Sequence, residues 1–72
     1  MNAEQEETFR NLWEAARANQ QDYYHDFLSL AQQVRPEMTE TEFNRGWGYC
    51  IVTGPDFDQS RTDFLMLVRQ TF

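Results

Sequence analysis

The chain contains no lysine. That absence removes Schiff-base chemistry and the phosphate-gripping lysine of P-loop nucleotide binding. There is one cysteine, Cys50, so no internal disulfide can form. One histidine, His25, and one cysteine are too few for a zinc site of the usual Cys/His kind. The longest unbroken apolar run, Phe64 to Val68, is far shorter than a membrane span. The chain opens Met-Asn-Ala-Glu-Gln-Glu-Glu, without the basic-then-apolar pattern of a secretory signal. A soluble, cytoplasmic protein is expected, and a lone cysteine agrees with a reducing compartment.

What is present is acidity and aromatic bulk. Twelve carboxylates face six arginines, for a formal net charge of -6, and 15% of residues are Phe, Trp or Tyr. Acidity disfavours direct contact with nucleic acid, whereas aromatic side chains suit a protein contact surface. Seventy-two residues make a single domain, 1–72. A chain this short buries roughly 60% of the surface its unfolded form exposes. Without disulfide or metal, dense aromatic packing or association must supply the remaining stability.

The apolar periodicity predicts an all-α bundle of three to four short helices, near 3–19, 22–35, 40–53 and 58–71. In the first, Phe9, Leu12, Trp13 and Ala16 follow the i, i+3, i+4, i+7 pattern of one helical stripe. Glu6–Arg10, Arg10–Glu14 and Glu14–Arg17 stand at pairing distance along its outer face. After the polar joint Asn19-Gln20-Gln21, Asp22 reads as an N-cap for a second helix with a wide apolar stripe, stopped by Pro36. Thr39-Glu40-Thr41-Glu42 fits a capping box, with Met38 and Phe43 placed for a hydrophobic staple. Gly46 and Gly48 each cost about 1 kcal/mol inside a helix. Residues 47–53 also alternate as a strand does, but a lone strand has no partner in this chain, so helix is favoured. Gly54-Pro55 marks a break, and Phe57, Phe64, Leu65, Val68 and Phe72 approximate one face of the last helix.

Candidate chemistry is thin. His25 lies between Asp22 and Asp26, but no nucleophile accompanies it, and three ligands on one turn make a weak metal signal. A surface histidine in an acidic patch is the simpler reading. Cys50 sits in the apolar run Tyr49-Cys50-Ile51-Val52, where a thiol behaves as a small, inert hydrophobe. Asp56, Asp58 and Asp63 begin like a calcium loop, yet Arg61 stands where the turn glycine belongs and Leu67 where the last carboxylate belongs. Gly46-Trp47-Gly48 lacks the residues of a phosphate loop and reads as a packing point or kink. The arginines are dispersed, with Arg17, Arg35 and Arg69 near predicted helix C-termini, where cations complement the dipole. They form no stripe, so no direct nucleic-acid contact is expected. No cofactor, metal or enzymatic activity is expected.

Three readings remain, the least favoured an enzyme or a subunit completing one, since no pair of candidate groups meets the geometry that catalysis needs. The first is a protein-binding module, an inhibitor or regulator that occupies a basic surface on a partner such as a nucleic-acid-binding protein. In size and charge the chain resembles small phage-encoded inhibitors of host nucleases, including many anti-CRISPR proteins; that resemblance implies action by protein contact. The second is a structural or regulatory homo-oligomer, by default a homodimer, because the second and fourth helices carry stripes wider than so small a core hides. The candidate partner-binding residues are those that core and caps leave over: Asp22, Tyr23, Asp26, Trp47, Tyr49, Asp56 and Asp63.

Overall fold

In a computed structural model of the chain, the described residues are 1–47 and 57–69. They form an all-α bundle: α1 (Ala3–Ala16), a 3-10 turn (Gln20–Tyr23), α2 (Tyr24–Val34), α3 (Glu40–Trp47) and α4 (Phe57–Arg69). Predicted helix at 48–53 and 70–71, and the strand alternative at 47–53 beyond Trp47, lie outside the described residues. The Cα radius of gyration is 10.8 Å, against roughly 11 Å for a compact chain of this length.

Helices α1 and α3 start at side-chain caps. The Asn2 side chain accepts a hydrogen bond from Gln5 N (2.8 Å), while Asn2 N donates to Gln5 Oε1 (3.0 Å), a reciprocal capping box. At α3 the anticipated box is present. Glu42 N donates to Thr39 Oγ1 at 3.2 Å, and Thr39 N donates to Glu42 Oε1 at 3.0 Å. Met38 and Phe43, the staple pair, both lie in the core.

Between α1 and α2 the structure departs from expectation. Helix α1 ends at Ala16 rather than near residue 19. Asn19 takes an extended backbone and accepts from Gln21 N (3.1 Å), which starts the 3-10 turn. Asp22 lies inside that turn and is therefore not the cap of α2, which begins at Tyr24 without a side-chain cap. An asparagine side chain that satisfies a nearby N–H competes with helix continuation, which accounts for the break. Helix α2 ends as predicted: Arg35, before Pro36, is extended.

The core draws on every helix. Phe9, Phe27, Phe43 and Phe64, one each from α1 to α4, are completely buried. Ring centroids lie 5.9 Å apart for Phe9–Phe27, 5.0 Å for Phe9–Phe64 and 6.3 Å for Phe27–Phe64, so α1, α2 and α4 meet in an aromatic triangle. Trp47 joins it through Phe27 at 5.4 Å. Pairs of this geometry contribute about 0.5–1.5 kcal/mol each beyond their buried area. Among the described residues Met66 is the single exposed large hydrophobic side chain. The wide stripes of α2 and α4 are thus largely used within the fold, with Tyr23, Tyr24, Val34 and Phe57 packed partly buried against the core.

Helix α4 is tied down by arginines. Arg61 pairs with Glu6 of α1 (3.4 Å), and Arg10 of α1 lies over the Phe57 ring, 5.0 Å from its centroid. The Arg35 guanidinium donates to the Val68 carbonyl at 3.3 Å. Of the ion pairs anticipated along α1, Glu14–Arg17 is present at 3.1 Å. Glu6 and Arg10 instead turn to α4.

Candidate functional site

The five candidate contact residues that are described fall into three places. Asp22 and Asp26 lie about one turn apart at the junction of the 3-10 turn and α2, both exposed. Neither carboxylate has an ion-pair partner among the described residues. Tyr23 lies beside them, partly buried against the core, and His25 is exposed on the same segment. Among the described residues, this junction is the one place where several candidates come together.

Asp63 lies on α4, partly buried, and accepts a hydrogen bond from Gln59 Nε2 at 2.9 Å. It is remote in sequence from the junction and already engaged. Trp47 requires a correction: packing explains it fully. Its side chain is 5% exposed and its ring meets Tyr24 at 5.2 Å, Phe27 at 5.4 Å and Phe43 at 5.5 Å. An anchor for a partner must be reachable, and this indole is not. Tyr49 and Asp56 lie outside the described residues, as does Cys50.

Several functional-looking features escaped the sequence pattern. Tyr24 stands between core and surface. Its hydroxyl donates to Glu40 Oε2 at 3.5 Å, and its ring contacts Phe43 at 5.5 Å and His25 at 5.2 Å. Burial first, then repulsion by the Glu40 carboxylate and the hydrogen bond to it, hold the Tyr24 phenol above its ordinary value of 10.0. Among the described residues, three polar side-chain atoms are buried without a hydrogen-bond partner: Trp13 Nε1, Trp47 Nε1 and Ser60 Oγ.

An open cavity of about 370 Å³ lies along α1, lined by Ala3, Glu6, Glu7, Arg10 and Asn11. It holds no histidine, cysteine or hydroxyl to act as nucleophile. Glu6 is committed to Arg61, and Arg10 lies over Phe57. Among the described residues no cluster of three or more His, Cys, Asp or Glu is arranged to hold a metal ion. No helix among them is long and apolar enough to cross a membrane. Fold and surface together define a small all-α domain with an acidic junction. Comparison with protein-family models, curated proteins and solved structures finds no match.

Proposed function

We propose that this domain is an acidic protein-binding module that occupies a basic surface of a partner, with the junction of the 3-10 turn and α2 as its contact centre. The observation that supports this reading is the pair Asp22 and Asp26, exposed about one turn apart and without an ion-pair partner among the described residues, in a chain of net charge -6. Several other acidic groups have structural work. Glu42 caps α3, Glu14 and Glu37 pair with arginines, and Glu6 reaches Arg61. Tyr23 adds a partly exposed aromatic ring beside the two aspartates, the kind of side chain that gives affinity where carboxylates mainly speed encounter.

The test is capture of partners from the native host by the wild-type protein and by the Asp22→Asn/Asp26→Asn double variant, followed by association kinetics on the captured protein. The expected partner is basic. Its association rate falls about tenfold or more between low and high salt and slows in the double variant at low salt. An on-rate indifferent to both salt and the double substitution removes the junction from the interface. The homo-oligomer reading has little support among the described residues, where Met66 alone is an exposed large hydrophobic side chain. Sedimentation at two concentrations separates the two.

A further inference from the structure

We propose that Met66 is a site of reversible oxidative modification, at which a hydroperoxide converts the exposed thioether to a sulfoxide while the core stays intact. The three methionines of the chain differ sharply in exposure. Met66 is 50% exposed on α4, whereas Met38 is 2% exposed. Met38 belongs to the core, and its carbonyl accepts a hydrogen bond from Gln32 Nε2 at 3.2 Å, which ties its segment to α2. Met1 packs partly buried against the core, just ahead of the Asn2–Gln5 capping box. An oxidant in solution therefore reaches the Met66 sulfur directly, but reaches Met38 only when the core opens.

The surroundings of Met66 suit the product. Its helix neighbours Phe64, Leu67 and Val68 are buried, so Met66 projects outward from α4. Thr62, Asp63 and Arg69, all polar, stand within one turn of it on the same side. A sulfoxide is far more polar than a thioether, and at this position it meets water and polar side chains. At Met38 the same group sits in the core, at a desolvation cost. The chemistry is a two-electron oxygen transfer. The sulfur lone pair attacks one oxygen of the hydroperoxide, an S–O bond forms and the O–O bond breaks. The leaving hydroxide or alkoxide takes the proton of the transferred hydroxyl and departs as water or an alcohol. Sulfur is oxidised by two electrons and the peroxide is reduced by two. In the reverse step, a thiol-dependent sulfoxide reductase removes the oxygen as water while two thiols become a disulfide.

Dilute hydrogen peroxide tests this, with tryptic peptide mapping by mass spectrometry as the readout. Trypsin cuts after arginine but not between Arg35 and Pro36, so Met1, Met38 and Met66 fall in the separate peptides 1–10, 18–45 and 62–69. Cys50 falls in 46–61, so oxygen on its thiol is not counted. In the folded protein Met66 is expected to gain oxygen roughly tenfold faster than Met38, and faster than Met1. In concentrated urea the three rates are expected to converge to within about twofold, because only the fold distinguishes them. The Met66 sulfoxide form is expected to keep its helical circular dichroism, with Tm lowered by less than about 4 °C. Reductases specific for the two sulfoxide epimers are expected to return peptide 62–69 to its original mass. Met38 or Met1 oxidising as fast as Met66 in the folded protein overturns the site. Loss of helical signal as Met66 is oxidised overturns the intact core, and resistance to both reductases overturns reversibility.

Discussion

The guanidinium of Arg35 donates to the main-chain carbonyl of Val68, 33 residues further along the chain, at 3.3 Å. A second bond from the same side chain, Nε to Glu37 Oε1 at 3.1 Å, fixes its orientation. The acceptor lies in the last described turn of α4, where carbonyls lack intrahelical partners and carry the negative end of the helix dipole. A side chain that ends one helix thus caps another.

Arg35→Ala is therefore expected to destabilise the fold by about 1–2 kcal/mol, the range for a charged hydrogen bond that leaves its acceptor less satisfied. In a domain of this size each kcal/mol lowers Tm by about 4–8 °C. Arg35→Lys is expected to recover only part of the loss, because an ammonium cannot serve the Val68 carbonyl and Glu37 with one planar fork. A melting temperature unchanged in Arg35→Ala contradicts the capping role.

Ser60 leads to the opposite expectation. Its hydroxyl is completely buried on α4 with no hydrogen-bond partner. Ser60→Ala removes an unpaid desolvation cost and a residue of lower helix propensity, so stability is expected to rise by about 1 kcal/mol. In urea the midpoint moves up at constant slope. A fall of similar size shows that the hydroxyl is satisfied in solution.

Trp47 decides between packing and contact. Trp47→Ala is expected to cost about 3–5 kcal/mol, as for other buried aromatic truncations. That is comparable to the whole stability of a small domain, about 5 kcal/mol at the low end. The variant is expected to be largely unfolded by circular dichroism, whereas Trp47→Phe stays folded and keeps partner binding. Loss of binding in a folded Trp47→Phe returns the residue to the interface.

Tyr24 predicts an alkaline limit. The folded state favours its protonated phenol, whose pKa lies above the ordinary 10.0 of the unfolded chain. Its contribution is complete below pH 10 and is lost as pH rises through the folded value. Stability of the wild type is therefore expected to fall more steeply above pH 10 than that of Tyr24→Phe. Parallel profiles in denaturant titrations at several alkaline pH values contradict the assignment.

What the sequence made legible was local. Thr39 and Glu42 identify their cap because both partners lie within one turn, and Pro36 announces the end of α2 in the same way. Asn2 with Gln5 is equally local but hides among acidic neighbours that draw attention to the dipole. Asn19 reads as a polar joint, although whether it continues a helix or caps a 3-10 turn depends on how α1 and α2 pack. Pairings over long separations leave no periodic trace. Glu6 and Arg10 match at helical spacing, yet α4 offers Arg61 and the Phe57 ring, and the local pair gives way. At the candidate site, exposure of Asp22 and Asp26 follows from their place off the apolar stripe. Burial of Trp47 does not, because its neighbours Tyr24, Phe27 and Phe43 come from two helices.

The arginine ties of α4 bear on how the protein responds to denaturants. Arg61 on Glu6, Arg10 on Phe57 and Arg35 on Val68 all use the cation that guanidinium chloride supplies in molar amounts. That salt competes for the same carboxylate, ring face and carbonyl while screening charge; urea does neither by charge. Stability extrapolated from urea is therefore expected to exceed that from guanidinium chloride, and the difference to shrink in Arg61→Gln/Arg35→Gln.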